Sequence, residues 1–227
     1  MRLTEKIFAY FWQGRGNNCN TYLITGEKNI LIDPGHLVSE LGERCLEQLS
    51  SQMLADGKSL EQVDLIICTH AHPDHCGSVE AVQEKSGARL ALHKEEVELW
   101  EKWKEYLSST GSPFPSLKPD FFLQEGELQV GTDNSEVLHI YVTPGHTSGS
   151  ICIYEPQGKA LFTGDTIFSG SIGRTDLPGG DMREMAESIK RLSSLEDVEL
   201  LLPGHMGPVK RAERVKSNIR LIRNYFF

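Results

Sequence analysis

The chain has 227 residues, 39% hydrophobic and 24% charged, with a formal net charge of -9. That length and apolar content suffice for one large domain or two small ones and exclude a disordered chain, while the acidic balance argues against a nucleic-acid partner, which needs a basic face. Five cysteines with no Cys-x-x-Cys pair exclude a disulfide framework or thiolate zinc knuckle and suit a reducing cytoplasm; the first apolar run breaks at Gln13-Gly14-Arg15, too short for a signal peptide, and no stretch reaches the roughly 18 apolar residues of a membrane span.

Residues 7–12, 19–25 and 29–32 are rich in aromatic and β-branched side chains between glycines, so an antiparallel meander is expected to open the fold. Asp33-Pro34-Gly35 ends the third strand, and Asp33 either forms that turn or orients a metal ligand from behind. Val38, Leu41, Cys45, Leu49 and Met53 recur at helical spacing, predicting a helix from Val38 to about Asp56. A strand at 64–69, a helix at 77–86, a strand at 89–93 and a helix at 94–107 make a βαβα run. Residues 108–119, with Gly111, Pro113, Pro115 and Pro119, read as a surface connection near the site.

Strands then recur at 128–130, 137–142, 150–154 and 160–163. Asp181-Met182-Arg183-Glu184 has the form of a capping box opening a helix to about Leu192, and a strand at 199–202 precedes a last helix from about Pro208. Lys210, Arg211, Arg214, Lys216, Arg220 and Arg223 fall at helical spacing and read as a solvated face, and Tyr225-Phe226-Phe227 is expected to dock on its own domain, with a partner as the alternative. Two strand-rich halves, each with helices, predict two sheets packed face to face with helices outside, in a single domain spanning 1–227. Nothing in the sequence specifies an oligomeric state.

The chemistry collects at strand ends. Thr69-His70-Ala71-His72-Pro73-Asp74-His75 packs four cation-binding side chains into six positions after the apolar run Leu65-Ile66-Ile67-Cys68. Three later segments end a strand on a glycine and a ligand type: Thr143-Pro144-Gly145-His146, Thr163-Gly164-Asp165 and Leu202-Pro203-Gly204-His205. Five histidines and two aspartates, without cysteine, suit two divalent ions, zinc first, with iron or manganese as alternatives. The economical division gives His70, His72 and His146 to one ion and Asp74, His75 and His205 to the other, with Asp165 bridging. His36, His93 and His139 lack such company and read as structural or surface residues. Cys76, beside His75, reads as a small buried residue at a helix start and not as a nucleophile.

With these motifs the chain resembles the metallo-β-lactamase superfamily, whose Thr-His-x-His-x-Asp-His hallmark stands at 69–75 and whose later motifs match at Gly145-His146-Thr147, Gly164-Asp165-Thr166 and Pro203-Gly204-His205. The resemblance implies an α/β fold, a four-layer αββα sandwich of two mixed β-sheets flanked by helices, with the metal site between two pseudo-symmetric halves. The stretch from Phe168 to Asp181 is similar to glyoxalase II-type hydroxyacylglutathione hydrolases of the short form, without the C-terminal helical domain, since 22 residues follow His205. It implies that Arg174 binds a substrate carboxylate; an ion pair with Asp176 or Asp181 is the alternative. Met206, inserted after His205, departs from the family's Gly-His-Gly-Pro continuation.

The function these residues imply is hydrolysis of a small-molecule thioester such as a hydroxyacylglutathione, by attack of a metal-bridging hydroxide on the acyl carbon, with Asp74 orienting the hydroxide. The alternative is an oxidoreductase like the persulfide dioxygenases, which share the Gly-Arg-Thr-Asp stretch and hold one iron on the counterparts of His70, His146 and Asp165. A lactonase, a β-lactamase-like hydrolase and a non-catalytic metalloprotein rank lower.

Overall fold

A computed structural model describes residues 1–108, 117–132 and 136–227. The chain divides into two compact units, Met1–Phe122 and Leu123–Phe227. Most of the expected 108–119 connection, residues 109–116, lies outside the described residues.

The first unit is built on a mixed sheet in chain order: β1 (Ile7–Tyr10), β2 (Thr21–Ile24), β3 (Ile30–Ile32), β4 (Leu65–Ile67), β5 (Arg89–His93) and β6 (Phe121–Leu123). β1 to β3 pair antiparallel as the meander predicts, and β3, β4 and β5 run parallel. Leu46, Leu49 and Met53 of helix α1 (Cys45–Ala55), Val79 and Val82 of α3 (Val79–Ser86) and Trp100 of α4 (Glu95–Ser108) pack with Phe8, Tyr10, Leu23, Leu31, Ile66 and Leu90. The alternate residues Ile7, Tyr22, Ile30, Ile32 and Ile67 are buried as well, so these strands read as continuous apolar runs rather than as alternation. Each fully buried aliphatic side chain contributes about 1.5–3 kcal/mol. β4 is therefore held on both edges and both faces where it hands the chain to Thr69.

The helix expected from Val38 starts at Cys45. Gly42 is left-handed (φ +77°), and the Ser39 and Gly42 N–H groups close a turn on the carbonyls of Glu43 and Ser39, both at 2.9 Å. Glu40 and Glu43 turn their carboxylates to backbone N–H groups of residues 15–17 instead of joining a helix face. Helical spacing was present, but a positive φ cannot continue a right-handed helix.

The second unit carries a sheet in the order β12 (Val209–Lys210), β11 (Leu200–Pro203), β10 (Ala160–Gly164), β9 (Ile151–Glu155), β8 (Val137–Val142) and β7 (Gly126–Gln129), mixed through its parallel β10–β11 pair. Met185, Ile189 and Leu192 of α5 (Met182–Leu192) and Val215, Ile219 and Ile222 of α6 (Ala212–Phe226) pack on Cys152, Leu161 and Leu201. Asp181 caps α5, its Oδ1 accepting the N–H groups of Arg183 at 2.7 Å and Glu184 at 3.0 Å. The last helix begins at Ala212 and not near Pro208, because Val209 and Lys210 pair antiparallel with Leu201 and Leu200. The six basic residues of this segment are exposed as expected, whereas of the terminal aromatics Phe226 packs on the core and Tyr225 is 82% exposed. Among the described residues no helix is long and apolar enough to cross a membrane.

Candidate metal centre

The seven expected ligands divide between the units, His70, His72, Asp74 and His75 in the first and His146, Asp165 and His205 in the second. In the first unit β4 ends at Ile67, the loop 68–72 follows, and Pro73 opens the single turn α2 (Pro73–Cys76) with His72 as its N-cap. Proline at the first helical position is preset for that turn. One ring nitrogen of His70 lies within 4.8 Å of one from His72 and one from His75, and an Asp74 carboxylate oxygen lies equally near a nitrogen of His75.

Asp33 organises this group. It stands at the end of β3 in the left-handed region (φ 52°), buried, with Oδ1 accepting the Thr69 N–H at 2.7 Å and Oδ2 accepting the Thr69 hydroxyl at 2.8 Å and His75 Nδ1 at 2.9 Å. Asp33 therefore forms the turn and also holds the His75 ring and the Thr69 side chain from behind. Thr69 spends its one hydroxyl hydrogen on Asp33, and its oxygen meets His70 Nδ1 at 3.1 Å, leaving the His70 Nε2 on the far side of the ring. That Nε2 stands 3.1 Å from His72 Nδ1.

Three supports were not legible in the sequence. Glu96, fully buried in the first turn of α4, accepts the Ala71 N–H at 2.6 Å and anchors the loop between His70 and His72. Asn17 donates from its amide to Asp74 Oδ2 at 2.8 Å. The Trp103 ring stands edge-on to His72 at 5.4 Å. Cys76 donates its thiol to the His70 carbonyl at 3.0 Å, and burial pushes that thiol well above its ordinary value, as expected of a structural cysteine.

In the second unit Gly145 has φ +137°, and a Cβ there would come within 2.4 Å of the Met185 backbone, so only glycine lets the chain turn His146 inward. His146 Nδ1 donates to the Arg174 carbonyl at 2.7 Å, and its Nε2 faces Asp165. Gly173 sits where a Cβ would lie 1.9 Å from the Asp165 carbonyl and 2.9 Å from His146 Nδ1. Asp165 follows a left-handed Gly164 at the end of β10, and His205 follows Gly204, whose N–H donates to the Gly164 carbonyl at 2.8 Å. Both His146 Nε2 and His205 Nε2 stand 3.5 Å from the same oxygen, Asp165 Oδ2.

Ligands bound at about 2.0–2.2 Å to a tetrahedral ion lie roughly 3.3–3.6 Å from one another. The Asp165 oxygen and its two facing imidazoles have that spacing. A carboxylate oxygen converged on by imidazole nitrogens is a nitrogen/oxygen donor set of the kind that holds divalent ions, so the residues fit such an ion. Phe168 stacks edge-on to His205 at 5.9 Å, and Met206 is left-handed (φ 66°) and 55% exposed. Arg174 reaches His146 through its carbonyl; its exposed guanidinium pairs at two points with Asp176, both at 2.9 Å. His36 and His93 are partly buried, and His139 lies 3.9 Å from Glu127.

The sequence profile of the Metallo-beta-lactamase superfamily matches residues 14–205. The hydroxyacylglutathione hydrolase GloC of Haemophilus influenzae is 32% identical over 206 residues, 88% of this chain and 91% of that protein. The human acyl-coenzyme A thioesterase MBLAC2 is 30% identical, covering 92% of this chain and 79% of that protein. Among solved structures, BLEG-1 B3 metallo-beta-lactamase superposes with a TM-score of 0.75 at 28% identity over 95% of this chain and 99% of that one. TTHA1623 in a di-iron-bound form superposes with a TM-score of 0.69 at 34% identity over 85% and 89%. With two mixed sheets flanked by helices and His/Asp ligand types at the strand ends, the chain belongs to the metallo-β-lactamase superfamily.

Proposed function

We propose that the protein is a metal-dependent thioesterase, with hydroxyacylglutathione-like thioesters as its substrate class. His70, His72 and His146 would hold one divalent ion and Asp74, His75 and His205 a second, with Asp165 shared; zinc is the first choice, and the di-iron form of TTHA1623 makes iron the main rival. Bound ions of this kind lower the pKa of water and polarise a carbonyl. The observation that carries the reading is that His70, His75 and His146 each have Nδ1 held from behind, by Thr69, Asp33 and the Arg174 carbonyl, an arrangement that turns Nε2 to the side where a metal would bind. Thioester chemistry is supported by two relatives that carry thioesterase names, GloC and MBLAC2.

The chain's own part is positioning. Asp74, held by Asn17, is the carboxylate placed to accept a proton from an attacking water, and Arg174, by releasing Asp176, would meet a substrate carboxylate. No thiol nucleophile is required, and all five cysteines are buried and free, which suits a reducing, cytoplasmic setting. Metal analysis of the purified protein, paired with assays on S-lactoylglutathione and glutathione persulfide, tests the proposal. Two ions per chain, with hydrolysis lost to a chelator and restored by metal, is the expected result. One iron with oxygen uptake on the persulfide, or hydrolysis that survives complete metal removal, would overturn it.

A further inference from the structure

Residues 36–43, between β3 and α1, expose three apolar side chains within five positions: Leu37 at 50%, Val38 at 48% and Leu41 at 57%. The charged residues interleaved with them are used elsewhere. Glu40 accepts the Asn17 N–H at 2.8 Å, and Glu43 accepts the N–H groups of Arg15 at 3.0 Å and Gly16 at 2.6 Å. The segment is also rigidly seated. A Cβ on Gly16 would come 2.6 Å from Ser39 Oγ, and one on Gly35 would come 2.6 Å from Asn18 Oδ1, so the two loops touch without room for a side chain. An apolar surface that is ordered in advance binds without an ordering cost, and a contiguous exposed one marks a ligand or partner.

Both loops end on the metal ligands of this unit. Asn17 holds Asp74 Oδ2 at 2.8 Å, the Gly35 N–H donates to the His75 carbonyl at 3.0 Å, and the His36 N–H donates to Asn18 at 2.7 Å. The His36 ring lies against Gly77, directly after α2. Leu37 is thus one residue from a side chain packed at the end of the ligand turn. A reacting acyl carbon at Asp74 and His75 has this apolar loop as its neighbour within the same unit.

We propose that Leu37, Val38 and Leu41 seat the acyl chain of the substrate, so that among thioesters of one thiol the enzyme favours an aliphatic acyl group of several carbons over an acetyl one. The inference rests on the thioesterase reading and deepens it. Seating a methylene is expected to raise kcat/KM by up to about fourfold, until the chain outruns the loop. The test uses metal-loaded protein and N-acetylcysteamine thioesters from acetyl to octanoyl, together with calorimetric binding of the uncleavable thioethers S-methyl- and S-octyl-N-acetylcysteamine. The wild type is expected to prefer octanoyl over acetyl by at least about tenfold, and the octyl thioether over the methyl one likewise. The L37S/V38S/L41S variant should lose most of both ratios, and L41S alone, changing a 57% exposed side chain, should lose part. Hydrolysis that is flat with chain length, or ratios unchanged in the variants, overturns the acyl seat while leaving the thioesterase reading intact. Chain-length-dependent thioether binding lost in the variant, without hydrolysis of any thioester, sinks the thioesterase reading and leaves the apolar seat standing. Absence of both sinks both.

Discussion

Replacing Asp33 by Asn tests the logic of the ligand turn at one atom. Asn tolerates the left-handed backbone (φ 52°) and matches the carboxylate in shape, so neither strain nor a cavity confuses the result. Its carbonyl can still accept the Thr69 N–H, but its amide nitrogen then faces the Thr69 hydroxyl and His75 Nδ1, which now donate at 2.8 and 2.9 Å. Two hydrogen bonds to a buried charge, each contributing about 1.5–3 kcal/mol, are lost, and weaker neutral ones replace part of them. The expected net cost is about 2–4 kcal/mol in metal-free protein, a fall in Tm of roughly 5–15 °C for a chain of this size. His75 must accept at Nδ1 and carry its proton on Nε2, where it cannot ligate. Metal affinity should fall about 10–100-fold, measured by competition with a chromophoric chelator. A variant with lowered Tm and wild-type metal affinity would refute the tautomer argument and leave Asp33 a turn former only.

Gly173→Ala should be severely destabilising or metal-deficient, because its Cβ would stand 1.9 Å from the Asp165 carbonyl; a cost below about 1 kcal/mol by chemical denaturation would contradict the close approach. Met206→Gly should raise Tm slightly, relieving about 1 kcal/mol of left-handed strain at φ 66°, and an unchanged or lower Tm would show that the Met206 side chain offsets that strain. Arg174→Ala should leave Tm unchanged, since its pair with Asp176 is exposed, while raising KM for S-lactoylglutathione on the order of tenfold; an unchanged KM would remove Arg174 from the substrate site. Backbone donors from Arg15 and Gly16 hold the Glu43 carboxyl below its ordinary value of 4.5. A lowered folded value stabilises fully above the unfolded one and is lost as pH falls through the folded one. The Tm gap between wild type and Glu43→Gln should therefore be present at about pH 7 and shrink as pH falls below the ordinary value of 4.5, and a gap that does not shrink in acid would exclude the carboxylate as its source.

Most strand ends, the ligand types beside them and the division into two sheets were legible in the sequence because each depends on local rules, whereas the short edge strands Phe121–Leu123 and Val209–Lys210 were not. Buried strands need apolar β-branched runs, and a ligand at a strand end needs a glycine or proline turn before it. Thus β8, β10 and β11 could be located together with His146, Asp165 and His205. The helix drawn from Val38 failed because helical spacing alone does not reveal that Glu40 and Glu43 are engaged by a loop more than twenty residues earlier. Glu96 looked like one more acid in the first turn of α4, and nothing local distinguished it from Glu95, although only Glu96 is buried against the ligand loop.

By itself the sequence determined which atoms can bind a metal, since that is a property of side-chain type and of the turn that precedes it. The tertiary structure alone decided how the rings of His75 and His146 are turned, because Nδ1 is held by a partner distant in the chain: Asp33 for His75, the Arg174 carbonyl for His146. It also decided that the loop after Asp33 presents leucine and valine outward, since its acids are drawn inward by backbone N–H groups whose positions no local pattern encodes.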